Sequence, residues 1–167
     1  CRLAAVSMRI GNGFDIHRFS QDPTRPLVLG GVLIAGEIGL EGHSDADVIA
    51  HAVAESLLGA AGLDDIGTHF PDTDERWRGA DSMALLAECV RLVRAAGWSP
   101  VNVDCSVIAE RPKLSPHKAE MQVLLSAVVG APVTIKGRRA EQIGGLGRAE
   151  GIACLASALV ESVGGGS

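Results

Sequence analysis

The sequence predicts an α+β fold in which one sheet is covered by helices. Three observations lead to this prediction. Short apolar or alternating runs, typical of strands, occur near both ends of the chain and in its middle. Longer segments with apolar residues three and four apart, typical of helices, lie between them. The two kinds of segment do not alternate strictly, which favours a sheet with helices packed on it over a regular βαβ array.

Composition limits the kinds of function to consider. The chain has 167 residues, the size of one domain, and we expect residues 8–163 to form it, with residues 1–7 and 164–167 as flexible ends or linkers. The net charge is −5 and no block of Lys or Arg occurs, so no nucleic-acid partner is expected. No apolar run reaches the roughly 20 residues of a membrane span, and no signal peptide is recognisable. We therefore expect a cytoplasmic protein without a membrane partner.

In the first half of the chain, residues 8–16 predict a strand, whose two glycines would allow another group to approach the backbone closely. Residues 27–34 predict two short strands around a glycine turn. A helix is expected from about residue 46 to Gly59 or Gly62, because Ile49, Val53 and Leu57 form an apolar stripe. Residues 63–81 are mainly polar and predict a long loop, and loops of that length are usually functional.

In the second half, residues 82–96 are amphipathic and predict a helix that ends at Gly97. Residues 101–107 alternate between apolar and polar side chains, as a half-buried strand does. A helix is expected from Ser115-Pro116 to about Val129, followed by a short strand over residues 133–136.

The secondary structure of the C-terminal part is predicted less clearly by its pattern. Residues 144–151 predict a glycine-rich turn. Residues 152–163 are long enough for a helix, but their apolar side chains also fit a period of two. The pattern therefore leaves helix and strand open.

Asp15, His17 and His51 are candidate metal ligands. Residues two apart on a strand point the same way, so Asp15 and His17 share one side. Catalytic zinc usually has three protein ligands and one open position, and a helical His51 would complete such a set. Ordinary hydrogen-bonded polar residues explain the pattern equally well, because Asp-x-His is a short motif.

The segment before His51 has two interpretations as well. Backbone N–H groups at a helix start bind anions, so His43 and Ser44 fit a phosphate site, whereas a simple N-cap from Ser44 or Asp45 is the plainer interpretation. Asp47 lies one turn before His51 and is either a partner that orients the imidazole or an acid that stabilises the helix dipole.

The loop from Asp65 to Asp74 is acidic and contains a Phe-Pro pair. Its carboxylates suit either substrate hydroxyl groups or a second divalent ion, and a solvated loop is the alternative. Lys113, after the half-buried strand, is either a phosphate contact or a surface lysine.

Taken together and in order, several motifs resemble the family of 2-C-methyl-D-erythritol 2,4-cyclodiphosphate synthases. The likeness runs from about Met8 to Val163 and is far more specific than any single motif. The motifs are Gly11-x-Gly13-Phe14-Asp15-Ile16-His17, Gly42-His43-Ser44-Asp45-x-Asp47-Val48-x-x-His51, Leu58-Gly59-Ala60-Ala61, Asp65-Ile66-Gly67, Phe70-Pro71-Asp72-Thr73-Asp74, Ile108-Ala109-x-x-Pro112-Lys113 and Gly147-Arg148-x-Glu150-Gly151-Ile152-Ala153.

The resemblance implies a two-layer sandwich with a mixed four-stranded sheet covered by helices on one face, and a homotrimer with active sites between subunits. It also implies that the C-terminal segment is a strand. The implied reaction belongs to the non-mevalonate route to isoprenoid precursors. The 2-phosphate of 4-diphosphocytidyl-2-C-methyl-D-erythritol 2-phosphate attacks the β-phosphate, which gives the cyclic diphosphate and releases CMP.

The resemblance also implies roles for individual residues. Asp15, His17 and His51 would bind Zn²⁺, and Glu141 would help to hold a Mg²⁺ or Mn²⁺ that bridges the substrate diphosphate. His43 would be catalytic and Ser44 would contact phosphate. The methylerythritol part would meet Asp65, Ile66, Gly67, Phe70, Pro71, Asp72, Thr73 and Asp74. The cytidine pocket of a neighbouring subunit would comprise Ala109, Pro112, Lys113, Leu114 and Ser115, and the remaining substrate contacts would be Arg138, Ala140, Glu141, Gly145 and Arg148.

The chain departs from the family in one segment. Arg138-Arg139-Ala140-Glu141 stands where a Thr-Thr-Thr-Glu run is usual, and Gly145 replaces a frequent aromatic residue. We expect Arg139 to be catalytic, because an arginine can contact a phosphate bidentately.

That departure keeps a second hypothesis open, a catalytically weakened trimer that binds cytidine nucleotide or isoprenoid diphosphate. An unrelated zinc hydrolase is a third. Residues 1–7 precede a natural-looking start at Met8 and leave open a fused cytidylyltransferase domain upstream.

Overall fold

A four-stranded mixed sheet forms the framework of the computed structural model, which describes residues 7–163. Its strands are β1 (Met8–Arg18), β4 (Trp98–Ile108), β5 (Val133–Arg138) and β6 (Gly151–Ser162), in the order β1-β6-β4-β5. β6 pairs antiparallel with β1 and β4, whereas β4 and β5 are parallel. The predicted α+β class and mixed sheet are confirmed, and the ambiguous C-terminal segment is the strand that the resemblance implied.

A separate two-stranded sheet holds β2 (Pro26–Leu29) and β3 (Val32–Ile38), which turn at Gly30 and Gly31 as the sequence predicted. Both glycines have positive φ angles, which explains why a glycine turn is needed here. The helices are α1 (Val48–Ala61), α2 (Ile66–His69), α3 (Ser82–Ala95), α4 (Lys118–Val129) and α5 (Gly144–Gly147), with a 3₁₀ turn at Glu75–Trp77.

The predicted start of α1 was wrong. Ala46 has a φ of +59°, in the left-handed region, so it cannot open a right-handed helix. α1 begins at Val48 instead, and the side chain of Asp47, rather than Ser44 or Asp45, caps it by accepting from the N–H groups of Ile49 and Ala50.

Three further boundaries differ from the sequence prediction. The predicted loop over 63–81 contains α2 and the 3₁₀ turn, and the predicted turn over 144–151 contains α5. α4 begins at Lys118 rather than Ser115, because the N–H groups of His117 and Lys118 both close on the carbonyl of Leu114 and form a turn first.

α1 lies directly against β1 because two glycines leave no side chain between them. A Cβ atom on Gly11 would lie 2.0 Å from the carbonyl oxygen of Ser56, and one on Gly13 would lie 2.0 Å from that of Ala52. The predicted core stripes of α1 and α3 are buried between the helices and the sheet.

The opposite face of the four-stranded sheet is the outer face. Ile10, Phe14 and Ile16 of β1 point to the side of the sheet opposite Gly11 and Gly13. Leu155 of β6 pairs with Phe14. These four side chains are 47–74% exposed.

Within residues 7–163 no helix is both long and apolar enough to cross a membrane. The predicted flexible ends lie outside the described residues except for Ser7, whose N–H and carbonyl bond to Ser162.

Candidate active site

Asp15, His17 and His51 come together as one cluster. Oδ2 of Asp15 lies 3.0 Å from Nε2 of His17 and 3.0 Å from Nδ1 of His51. One ligand atom from each residue lies within 4.8 Å of the others. β1 supplies two of the residues, because its two-residue period turns Asp15 and His17 to the same side, and α1 supplies the third.

The donor set of this cluster fits a metal such as zinc, which takes His nitrogen and carboxylate oxygen. Nε2 of His17 is buried and has no hydrogen-bond partner among the described residues, although it lies beside a carboxylate. Burial alone would raise the pKa of Asp15, but the contacts with His17 and His51 outweigh it and hold this pKa well below its usual range. Asp15 is therefore ionised at neutral pH, as a metal ligand must be.

A cavity of about 520 Å³ opens beside the cluster, and we call it the metal-side cavity. Much of the predicted phosphate and methylerythritol site borders it. Its lining residues are Asp15, His17, Gly42, His43, Ser44, His51, Ile66, Gly67, Phe70, Pro71, Asp72, Trp77 and Leu85.

Besides Gly42, which precedes His43 in the quoted motif, two of these lining residues were missed by the sequence analysis. The ring of Trp77 lies edge-on to that of Phe70, with centroids 5.0 Å apart. The only signal for Trp77 in the sequence is that it follows the Phe-Pro pair by a few residues. Leu85 shows no signal, because on α3 it follows the same stripe as core residues.

Three of the residues predicted to meet the methylerythritol part do not line the metal-side cavity. The carboxylate of Asp65 caps α2 by accepting from the N–H and hydroxyl groups of Thr68. Asp74 pairs with Arg76 at 2.6 Å, and its carbonyl oxygen lies 3.2 Å from Nε2 of His43. Thr73 is exposed between them. Their substrate contacts remain predictions.

The carboxylate of Asp47 does not orient the imidazole of His51. Its buried carboxylate accepts from four backbone N–H groups, those of Gly30, Gly31, Ile49 and Ala50. It thereby ties the turn between β2 and β3 to the start of α1, which is a structural role.

A second cavity of about 430 Å³ lies where β4 and β5 end beside α4, and we call it the β4–β5 cavity. It brings together all five residues of the predicted cytidine pocket with Arg138 and Arg139, but Ala140 and Glu141 do not line it. Lys118, Glu110 and Gly137 are its additional members. Its lining residues are Ala109, Glu110, Pro112, Lys113, Leu114, Ser115, Lys118, Gly137, Arg138 and Arg139.

Gly145 and Arg148 lie apart from both cavities. Gly145 lines a third cavity of about 280 Å³ near the end of β1. Arg148 is exposed, and its Nε donates to Glu150 at 2.7 Å.

Comparisons with known proteins show the family of the chain. The model of the YgbB family matches residues 8–161. A Bordetella petrii protein named 2-C-methyl-D-erythritol 2,4-cyclodiphosphate synthase is 52% identical over 158 residues, which are 93% of this chain and 96% of that protein.

Solved structures give the same result. The structure of the bifunctional IspDF from Campylobacter jejuni has a TM-score of 0.89 and 40% identity, and the match covers 95% of this chain and 43% of that one. The CDP complex of IspF from Plasmodium falciparum has a TM-score of 0.81 and 34% identity, with coverage of 93% and 97%. The chain therefore belongs to the YgbB family of 2-C-methyl-D-erythritol 2,4-cyclodiphosphate synthases.

Proposed function

We propose that the chain cyclises 4-diphosphocytidyl-2-C-methyl-D-erythritol 2-phosphate and releases CMP, as a lyase of the non-mevalonate isoprenoid pathway. One observation carries the proposal. Asp15, His17 and His51 converge within hydrogen-bond distance at the wall of the metal-side cavity. In a chain of this family, that cluster is where a phosphate and a metal would meet.

The reaction exchanges one phosphorus–oxygen bond for another. An oxygen of the 2-phosphate forms a bond to the β-phosphorus. The bond from that phosphorus to the bridging oxygen breaks, and its electron pair leaves with CMP. No proton has to be removed from the attacking phosphate, so the protein mainly positions groups and neutralises charge.

Asp15, His17 and His51 would hold Zn²⁺, which when bound polarises and orients a phosphate oxygen as a Lewis acid. The donor atoms support this ion, as does Nε2 of His17, which has no hydrogen-bond partner within residues 7–163. Glu141 would hold Mg²⁺ or Mn²⁺ at the diphosphate, since hard cations take carboxylate and phosphate oxygens.

His43 and Ser44 would bind the phosphate that enters the metal-side cavity. Both line it, and the Ser44 hydroxyl is close to the metal cluster, with Oγ 3.2 Å from Nε2 of His51. Ile66, Gly67, Phe70, Pro71 and Asp72 would enclose the methylerythritol part, with Asp65, Thr73 and Asp74 behind them.

The β4–β5 cavity would take the cytidine and its phosphates. The CDP complex of the Plasmodium falciparum relative supports a cytidine nucleotide as its class of ligand. Arg138 and Arg139 add two cations to Lys113 at this cavity, and we assign the diphosphate contact and catalysis to Arg139. Ala140, Gly145 and Arg148 remain substrate contacts in the proposal.

A homotrimer would join the metal-side cavity of one subunit to the β4–β5 cavity of its neighbour. Large exposed patches of apolar side chains usually mark interfaces, and the apolar side chains of the outer face support such an assembly. The match to part of the longer Campylobacter jejuni protein supports a fused cytidylyltransferase domain upstream. We place the protein in the cytoplasm.

The purified chain should convert the authentic substrate to the cyclic diphosphate and CMP in the presence of Zn²⁺ and Mg²⁺, followed by ³¹P NMR. His51→Ala should lose both bound zinc and CMP release. His117→Ala is the control, because His117 precedes α4 without capping it through its side chain.

Each alternative has its own result in this experiment. Substrate binding without CMP release would identify the weakened binder, which the names of the relatives do not favour. CMP release together with methylerythritol 2,4-bisphosphate, whose two phosphates are not joined, would identify a zinc hydrolase, because water would then have attacked. Either result would overturn the proposed cyclisation.

A further inference from the structure

Ser82, the first residue of α3, lies between the carboxylate of Asp45 and the ring of His51, which belongs to the metal cluster. Its side chain is 1% exposed. Its hydroxyl donates to Oδ1 of Asp45, and its backbone N–H donates to Oδ2 of the same carboxylate at 3.1 Å. Its Oγ also lies 2.8 Å from Nε2 of His51. Three separate segments of the chain therefore meet at one buried hydroxyl.

The direction of these hydrogen bonds fixes the proton on His51. Because the Ser82 hydroxyl donates to Asp45, its oxygen is left to accept, and Nε2 of His51 must carry the hydrogen. A neutral ring then presents the lone pair of Nδ1 to Oδ2 of Asp15, 3.0 Å away. A hydrogen or a cation between these two atoms makes the arrangement favourable, and a bound metal ion would take the place of the hydrogen. Ser44 is the weaker neighbour, at 3.2 Å from Nε2.

We propose that Asp45 and Ser82 are positioning residues that hold His51 in the Nε2–H tautomer, with Nδ1 aimed at the metal. This inference rests on the proposed metal site. Histidine ligands usually donate their second ring N–H to a carboxylate, carbonyl or water. Here the Ser82 hydroxyl connects the ring to the carboxylate.

Asp45 is itself held in place. Its backbone N–H donates to the carbonyl of Ala80 at 3.1 Å, just before α3, and Oδ1 accepts from the N–H of Asp47 at 3.1 Å. The carboxylate of Asp47 is nearer in sequence, but it accepts from four backbone N–H groups, and Asp47 bonds to His51 only through its backbone carbonyl. Asp45 is therefore the carboxylate that orients the ring.

The test is zinc affinity, measured on the full chain by competition with a chromogenic chelator. We expect Ser82→Ala and Asp45→Asn each to raise the zinc Kd about 10- to 100-fold, the range typical of such partners. The double variant should be little worse than either single variant, because both act through one chain of hydrogen bonds. Ser56→Ala is the matched control, since that buried hydroxyl donates only to the Val53 carbonyl and should leave the Kd within about two-fold.

A second measurement does not depend on any variant. ¹⁵N NMR of the zinc-loaded protein should place the proton of His51 on Nε2, and Ser82→Ala should weaken or remove that signal. A proton on Nδ1 in the wild-type protein would overturn the inference. So would a Ser82→Ala protein that folds normally and binds zinc within about two-fold of wild type.

These outcomes separate the inference from the proposed function. A wild-type chain that binds no zinc removes the metal site and the tautomer assignment together. A wild-type chain that binds zinc and releases CMP, while Ser82→Ala binds zinc equally well, removes the role of Ser82 and Asp45 alone.

Discussion

Nη2 of Arg25 donates to the carbonyl oxygen of Ser44 at 2.6 Å, and the same nitrogen lies 3.0 Å from the carbonyl oxygen of Gly42. The two acceptors flank His43 on either side. A single guanidinium therefore holds the loop that carries the proposed phosphate-binding residues.

We expect Arg25→Ala to lower kcat about ten-fold or more, because a small displacement of His43 misplaces it relative to the phosphate. CMP release under saturating substrate measures this. Arg78→Ala is the control, since Arg78 pairs with Glu75 on the exposed side of the 3₁₀ turn. Equal rates for the Arg25 and Arg78 variants would show that the loop holds its shape without the guanidinium.

Arg139 belongs to the segment at the proposed diphosphate site where the resemblance implies threonines. Arg139→Ala should lower turnover roughly ten-fold or more, because a charge-assisted contact to the phosphates would be lost. Arg91→Ala, which removes an exposed pair with Glu88 on α3, should leave the rate unchanged. A change of less than about two-fold for Arg139→Ala would mark it as a surface residue.

Gly11→Ala should prevent stable folding or lower the free energy of unfolding by more than about 4 kcal/mol, because the new Cβ would overlap backbone atoms of α1. Urea unfolding followed by circular dichroism measures the difference. Gly59→Ala is the matched variant, since the nearest atom to its Cβ is 3.8 Å away. There, alanine should stabilise α1 by about 0.5–1 kcal/mol. A fully stable Gly11→Ala protein would contradict the close contact of α1 with β1.

The outer face should carry the contacts of the proposed trimer. Leu155→Asp should shift the protein towards monomers in sedimentation velocity, because a carboxylate would be buried beside Phe14 without a partner. Val123→Asp on α4 replaces a side chain that is 68% exposed and should leave the assembly intact. A Leu155→Asp protein with the wild-type sedimentation coefficient would exclude this face as the interface.

The sequence predicted the elements whose apolar pattern is strong. The amphipathic period of α3 was sufficient to predict a helix, and the alternation of β4 was sufficient to predict a strand. The two-residue period of β1 correctly predicted that Asp15 and His17 share one side. The assignment of β6 as a strand depended on the resemblance to the family, because its small apolar residues fit both a helix and the two-residue period of a strand.

The details that depend on tertiary contacts could not be predicted from local patterns. The start of α1 was missed because Ala46 adopts a positive φ while Asp45 is drawn towards Ser82. Ser82 itself shows only the pattern of a helix start. Trp77 reaches the metal-side cavity because the 3₁₀ turn folds back on Phe70, which no spacing in the sequence indicates.

The backbone contact of α1 with β1 at Gly11 and Gly13 has a consequence for how the chain can vary. Two proposed ligands lie on β1 and the third on α1, and at these glycines the backbones of the two elements are in direct contact. Their spacing therefore does not depend on the size of side chains such as Leu57. Substitutions among aliphatic residues elsewhere in the core can change stability without moving the ligands apart. The proposed metal site should therefore tolerate such substitutions better than the stability of the fold does.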